Sequence, residues 1–473
     1  MRILDLLRKG LRKLFKKEEI ASAAGVNILM SSEMEDAIEL WTKMYKDCPA
    51  WKSKNTKTLN VPASLSSEVA KTTCLEMKVK VSGSARAEYI DKCMRKPIFS
   101  KMRNIVEYMI AKGGVVVKPY VDGEKIEYDI IQANHFFPTR FDSSGNILAA
   151  IFDDFEINGD VRYTRLEYHE LMDGKYTIKN KAFKKSVTKT SNGMQAQDVG
   201  KPCSLTEVDR WAEIEPEVFM EDVEHVFFSY GKTPWANHID TESPLGVSIF
   251  SKAVEQIEEA DKQWTRILRE YKEKEVVVQA LAEVFDEDRD GNPILPEGDE
   301  RRFEVFDVDA KKDGGIKDFL QTWSPDIRDT SLFNGLNKML QRIEFLCGVS
   351  YGTISDPIEF EKTATEILSS KQRMYSTVTD IQDVATKLLE DIVFVTCELV
   401  DLYEIYEDGE AEVSCEWDDS IMTDSNLEYQ RRWSWVQAGK MRLEAFYAWY
   451  FGCTEEEAGK YIPENKMTYP EDE

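Results

Sequence analysis

The sequence has only four histidines, no Cys-x-x-Cys pair and no apolar run long enough to span a membrane, and each absence closes off a class of function. His135, His169, His225 and His238 show neither the H-E-x-x-H pattern nor metal-ligand spacing, which leaves them solvated or hydrogen-bonded structural roles. The eight cysteines (Cys48, Cys74, Cys93, Cys203, Cys347, Cys397, Cys415 and Cys453) are scattered, so the reading is free thiols in a reducing compartment, with no metal and no cofactor. No segment approaches the ~18 apolar residues of a membrane span, and the N-terminus lacks the continuous apolar core of a signal peptide, so neither a membrane nor export is expected. Positive charge is also short. A net charge of −26 argues against a surface that grips nucleic acid generally, because tight non-specific binding comes from Lys and Arg neutralising several phosphates. A conduit through which DNA slides is the exception, since an acidic or neutral lining holds no given phosphate.

What is present is normal for a folded chain of about three domains: 42% apolar and 31% charged residues in 473. The most informative stretch runs from Thr233 to Tyr271. The loop T-P-W-A-N-H-I-D-T-E-S-P-L-G leads into a helix in which Phe250, Ala253, Ile257, Ala260, Trp264, Ile267 and Tyr271 recur at spacings of three and four. Such a stripe is apolar on one narrow face and calls for a partner helix; the competing reading is an ordinary surface helix of a large soluble protein. The first 17 residues carry a second amphipathic pattern, with Leu4, Leu7, Leu11, Leu14 and Phe15 on one face and seven Lys or Arg elsewhere. A partner subunit, nucleic acid and a membrane surface all suit it, with packing in an assembly favoured, a free arm next and the membrane last, and its like charges predict order only within an assembly.

Residues 27 to 110 read as mainly helical, with an N-cap at Ser32. From Gly114 the pattern changes to short alternating runs separated by D-G, S-G-N and N-G-D turns, which predicts an antiparallel meander ending near Asn180 and then a loop from Lys181 to Lys201. After the striped helix come V-V-V-Q-A-L-A-E-V-F and R-R-F-E-V-F-D-V-D, a strand-rich insertion, and then a return helix with Leu332, Leu336, Met339, Ile343 and Leu346 at helical spacing. Gly348, Gly352 and Pro357 keep the next stretch from being helical. Thr363 and Glu366 form a T-x-x-E capping box, and no Gly or Pro follows until beyond Tyr406, so a helix of some forty residues is expected. The aromatic-rich end from Cys415 reads as helical core.

Two motifs suggest chemistry. Asp286 to Glu297 satisfies the calcium-loop expression, with carboxylates at Asp286, Asp288, Asp290 and Glu297 around Gly291. Pro293 and Pro296 oppose that geometry and strands flank it, so the alternative is a solvated D-G turn at the tip of a hairpin whose acidic face docks partner proteins. Ser229 to Thr233 ends like a phosphate-binding loop but has Val226 where the first glycine belongs, so no nucleotide hydrolysis is expected. No catalytic residues are singled out.

The combination of Pro234-Trp235, Asn237, Ser243-Pro244-Leu245-Gly246 and Lys362-Thr363-Ala364-Thr365-Glu366 resembles the portal proteins of tailed bacteriophages, of the type found in siphophages of Gram-positive hosts, over roughly residues 25 to 410. The resemblance implies an α+β portal fold divided as follows: a basic arm (1–26), a wing (27–244), a first stem helix (245–275), a small α/β clip (276–324), a second stem helix (325–347), a tunnel loop (348–362), a long spine helix (363–408) and a helical crown with tail (409–473). It also implies a homo-oligomeric ring, typically of twelve subunits, at one capsid vertex, passing double-stranded DNA during packaging and ejection. The implied partners are further copies of the chain, the large terminase subunit, a head-completion or adaptor protein, and the major capsid and scaffold proteins, in the virion and, during assembly, the host cytoplasm. On this basis Lys338, Arg342, Tyr351, Thr353, Ile354, Ile358, Phe360, Lys362 and Lys371 are assigned to the DNA channel. Phe250, Ile257, Trp264, Ile267 and Tyr271 are assigned to the subunit interface, and Asp286, Asp288, Asp290 and Glu297 to partner docking. An adaptor or minor capsid protein is the nearer rival, a nucleic-acid-processing enzyme the more distant one.

Overall fold

The computed structural model describes residues 17–75, 77–123, 125–186, 188–190, 193–195, 198–273, 277–281, 302–306, 320–323, 328–356, 364–417 and 425–461. These form two compact units, Met1–Cys74 with Val79–Cys415, and Leu75–Lys78 with Glu416–Glu473.

The first unit opens with helices α1 (Lys17–Ala24), α2 (Ser32–Tyr45) and α3 (Val61–Thr73), strand β1 (Lys78–Ser82), and helices α4 (Ala85–Arg95) and α5 (Met102–Lys112). The N-cap of α2 is Ser31, one residue before the expected position, its side chain accepting from the Met34 N–H. Gly113 ends α5 in the left-handed region (φ +89°) and turns the chain into β2 (Gly114–Asp122), which is central in a three-stranded antiparallel sheet between β12 (Ser229–Lys232) and β3 (Lys125–Gln132). The alternation of side chains along β2 decides the layering. Val115 pairs with Gly231, and a Cβ at Gly231 would meet Leu388 and Met109, so that face packs on helices. Val116 pairs with Tyr230, whose ring lies against Phe136, and Lys118 reaches Glu167, so the other face packs on a second sheet. Both faces are buried, which is why V-V-V reads as an unbroken apolar run.

That second sheet is a meander of β4 (Phe136–Phe141), β5 (Ile147–Asn158), β6 (Val161–Met172) and β7 (Lys175–Ser186), with β10 (Lys201–Cys203) and β11 (Glu217–Met220) also pairing with β7. Pro138 lies on the edge strand β4, beside a register shift, where its missing N–H interrupts no ladder. The meander expected to stop near Asn180 continues to Ser186, because Ala182 is buried against Leu205, Val208 and Trp211, and Phe183, on the opposite face, is buried as well. Part of the expected loop is a further hairpin, β8 (Thr188–Thr190) with β9 (Gly193–Gln195).

Two helices, α6 (Val254–Glu273) and α7 (Asp329–Leu346), flank a three-stranded sheet of β13 (Val277–Leu281), β14 (Arg302–Phe306) and β15 (Leu320–Trp323). Strand β13 pairs antiparallel with β15 but parallel with β14. This corrects the hairpin expectation. A parallel pair needs a crossover, so β13 and β14 are not the two arms of a tight hairpin. Asp286, Asp288, Asp290 and Glu297 lie outside the described residues. Helix α8 (Ala364–Leu402) follows, 39 residues and about 58 Å long, burying Met374, Val378, Ile381, Ala385, Leu388 and Ile392 at spacings of four and three. Strand β16 (Glu412–Glu416) pairs with β1.

The second unit is helical: α9 (Ser425–Gln437), α10 (Leu443–Phe451) and the single turn α11 (Glu455–Ala458), capped reciprocally by Thr454 and Glu457. Phe446 is buried at its centre, within ring contact of Tyr429, Trp433, Trp449 and Tyr450. The aromatic density read from sequence is thus core, built around one phenylalanine.

Candidate functional site

The segment from Thr233 to Gly246 is fixed by side chains that the loop itself supplies. Thr233 Oγ1 donates to the Val247 carbonyl (2.8 Å) and accepts from the Val247 N–H (3.0 Å). Asn237 Oδ1 accepts from the N–H groups of Ile239 and Asp240 (3.0 Å each), while its Nδ2 donates to the Leu245 carbonyl (3.0 Å). Gly246 is obligatory on steric grounds, since a Cβ there would sit 2.1 Å from the Gly113 carbonyl oxygen. The words that carry the family resemblance are therefore structural: they brace the chain before it enters α6.

Helix α6 begins at Val254, later than expected, because Phe250 caps a 3₁₀ turn over Ser251–Ala253. Its stripe is largely spent inside the chain. Phe250, Ile257 and Ile267 are fully buried, Trp264 is half-buried with its ring edge on Phe333 (6.4 Å), and Tyr271 is 38% exposed. Phe333 also meets Tyr271, and Arg328 before α7 pairs with Glu270 near the end of α6 (2.9 Å), so the two helices run antiparallel. On its other flank α6 holds the segment 47–60. Asp261 accepts from Trp51 Nε1 and from the Leu59 N–H, both at 2.8 Å, and Thr265 Oγ1 accepts from the Lys57 N–H (2.8 Å). Burial pushes the Asp261 carboxyl above its ordinary value, and these two donors oppose that shift.

The loop after α7 is organised by one residue that the sequence reading missed. Glu344, fully buried, points its carboxylate at the loop: Oε1 accepts from the N–H groups of Gly352 (3.1 Å), Ile354 (2.8 Å) and Ser355 (2.9 Å), and Oε2 from the Ser355 hydroxyl (2.8 Å). Asn337 clamps the same segment, accepting from the Asp356 N–H (2.8 Å) and donating to its carbonyl. Gly348 takes a left-handed φ of +72°, and its carbonyl accepts from Thr377 Oγ1 on α8 (2.7 Å). Nothing in the spacing of an acidic residue between Ile343 and Phe345 distinguishes it from a solvated one.

Of the assigned channel residues, Lys338 is exposed on α7 with Nζ on Gln341 (3.2 Å), and the Arg342 guanidinium lies 5.2 Å from the Phe345 ring centroid. Arg373 on α8 lies 4.9 Å from the Phe345 ring centroid and 5.4 Å from that of Tyr351, both of which are exposed by more than a third. Thr353 Oγ1 is turned back to the Ser350 carbonyl (2.6 Å), and Ile354 contributes its backbone to Glu344. Ile358, Phe360 and Lys362 lie outside the described residues, as does Thr363 of the expected capping box; Lys371 lies on α8 with its side chain outside them. The structure thus brings Arg342 and Tyr351 together with two unanticipated residues, Phe345 and Arg373.

Away from this region, Lys118 Nζ donates to both Glu167 oxygens (2.7 Å each), His169 Nε2 meets the same carboxylate (2.7 Å), and Tyr176 Oη bridges His169 Nδ1 and the Phe227 N–H. Burial drives the Glu167 carboxyl up, but Lys118, His169 and Arg165 hold it well below the usual range; burial keeps the His169 imidazole below its own. This is a satisfied core network between two sheets. Among the described residues no group of three metal-ligating side chains converges, and no helix is long and apolar enough to cross a membrane.

A family model described as "Phage portal protein, SPP1 Gp6-like" matches residues 59–470. No curated relative matches. Among solved structures the chain is distantly similar to the neck of a native GTA particle computed with C12 symmetry, at 10% identity and a TM-score of 0.41, covering 89% of this chain and 94% of that one. The family match takes in α3, both sheets, the antiparallel helix pair with its inserted strands, the Glu344-held loop, α8 and the aromatic helical unit, and by that extent the chain belongs to the SPP1 Gp6-like family of phage portal proteins.

Proposed function

We infer that this portal protein works as a closed ring of identical copies at one capsid vertex, with α6 and α7 as the stem, the β13–β15 module as the clip, residues 348–362 as the tunnel loop, α8 as the spine and the second unit as the crown. Portal proteins are structural components of the virion, and the conduit for double-stranded DNA and the docking platform for head and tail components are general to that family. The observation that carries the reading is the order of parts: an antiparallel helix pair split by a small sheet, a loop pinned by a buried carboxylate, then a 39-residue helix. In this arrangement Arg342, Lys338 and Lys371, with Lys362, supply the few cations near the phosphates in a chain of net charge −26, enough to guide a duplex without holding it. Tyr351, Thr353, Ile354, Ile358 and Phe360 present the loop's neutral surface to the channel. Trp264 and Tyr271, the stripe residues left partly exposed beside Phe333, meet the neighbouring subunit, whereas Phe250, Ile257 and Ile267 are buried within their own chain and leave the interface. The acidic run Asp286, Asp288, Asp290 and Glu297 docks the basic surface of the terminase large subunit or of a head-completion protein. Scaffold and major capsid proteins contact the wing and crown, and assembly takes place in the host cytoplasm.

Electron micrographs of the purified full-length protein test this directly. Annular particles with a central hole wide enough for a duplex are expected, typically of twelve copies. A monodisperse single-copy particle, or an annulus too narrow for DNA, overturns the reading.

A further inference from the structure

A cleft of about 640 Å³ opens in the first unit between α8, the turn joining β4 to β5, and the segment leading into β12. Its walls are apolar at Leu148, Leu171, Phe228, Leu388 and Phe394, and the Phe394 ring is 48% exposed although it lies on an otherwise well-buried helix. The charges around it are mostly negative. Asp142, Glu224 and Asp391 line the cleft, and Glu398 stands next to it, 3.3 Å from His225. Burial raises the Asp391 and Glu398 carboxyls above their ordinary values, opposed by Lys387 and His225 at the first and by His225 at the second, and Lys387 and Lys232 stand among the lining residues. An apolar floor under an acidic rim fits a basic amphipathic segment.

The chain has one such segment. Residues 1–16 carry six Lys or Arg against one Asp, with Leu4, Leu7, Leu11 and Leu14 spaced three, four and three apart. They lead into α1, which is anchored by Lys181 Nζ on the carbonyls of Ala23 and Ala24. Lys181 pairs with Leu166 and so projects from one face of the meander, whereas Leu171 pairs with Tyr176 and belongs, by alternation, to the opposite face, where Phe227 and Phe228 pack. The arm itself joins α1 at Lys17, whose N–H donates to Glu35 (2.9 Å) and whose Nζ donates to the Met30 carbonyl (2.6 Å). Short and rich in like charges, the arm is expected to be ordered only within an assembly, which favours the cleft of a neighbouring copy.

We propose that residues 1–16 of one subunit seat their leucine face in the α8 cleft of the adjacent subunit, with Arg8, Lys9, Arg12 and Lys13 over its acidic rim, tying neighbours together at the wing. This rests on the ring described above. It is tested in the full-length protein by Phe394→p-benzoylphenylalanine, photolysis, and mass spectrometry of assemblies formed from equal amounts of isotopically heavy and light chains. Crosslinks from position 394 to peptides within residues 1–16, found in mixed heavy–light pairs, are expected, with at least a tenfold loss of yield when Leu7→Asp and Leu11→Asp are added. Crosslinks confined to chains of one isotope place the arm in its own subunit, and crosslinks to any other segment, or none, show a different occupant or an empty cleft; each overturns the proposal. Micrographs of the same sample separate the two readings: annuli without the crosslink refute only the docking, whereas absence of annuli refutes the ring itself.

Discussion

At the scale of single residues, the positions that do most for the candidate site are those whose polarity is hidden. Glu344 satisfies three backbone donors and a hydroxyl from a fully buried position, and an amide replaces it poorly, because its uncharged oxygen would hold the three N–H groups without charge assistance and its NH2 would have to reverse the bond to the Ser355 hydroxyl. Glu344→Gln should loosen the loop by about 2 kcal/mol, roughly a thirtyfold rise in exchange at the amides of Gly352, Ile354 and Ser355 by hydrogen–deuterium exchange. Unchanged protection there would show that Asn337 and Thr377 suffice. Lys112 is a second hidden charge. Its Nζ donates to Gln132 Oε1 and Asn134 Oδ1 with no carboxylate among those partners, and burial, with a smaller push from Lys46, lowers it to about 7 from 10.5. Between those values the unfolded chain binds a proton that the folded one lacks, so stability from this group rises with pH across that window and is flat below it. Against Lys112→Met, the wild-type melting temperature should therefore gain from about pH 7 upward toward pH 10, and parallel pH profiles would refute the assignment. Neither residue was legible beforehand: a buried acid or lysine looks the same in a sequence as a solvated one, and only the converging donors or acceptors tell them apart.

At the scale of elements, periodicity located helices well and their use less well. The three-four spacing of α6 and the Gly- and Pro-free run of α8 mark real helices, yet the start of α6 moves to Val254 because Phe250 is drawn into a 3₁₀ turn under its own burial. A stripe read from sequence says that a face is covered, not by what. Here α7 and the segment 47–60 cover much of it, leaving Trp264 and Tyr271 at the margin. Trp264→Ala should weaken subunit association by about 2 kcal/mol per site, seen as ring dissociation at higher protein concentration on dilution in mass photometry. A lowered melting temperature with unchanged dissociation would mean that the indole serves only its own chain. In the sheets, the runs forming β2, β3, β5, β6 and β7 were readable from alternation and turns. The run F-F-P-T-R-F of β4 was not, since a proline and a register shift break its pattern, and pairing with β14 in parallel rather than in a hairpin leaves no local signature at all.

At the scale of the molecule, the layout along the chain was the most legible feature, because each change of period coincides with a change of layer. Contacts between copies leave no comparable local signal, since a repeating assembly is specified by surfaces far apart in sequence. Annular particles in the micrographs and the isotope-mixed crosslink from position 394 act at this level: the first asks whether copies close, the second whether they interlock beyond their stems. Absence of cysteine pairing is no handicap to such an object. All eight thiols are free, and closure multiplies each weak contact around the circle.

The manner in which Glu344 holds its loop has a mechanical corollary. Three amides share one carboxylate oxygen, so a displacement of that oxygen weakens all three bonds at once and the segment has a single common anchor. The neighbouring Gly348 is tied through Thr377 to a rod about 58 Å long, which puts that anchor within one loop of a lever spanning much of the first unit.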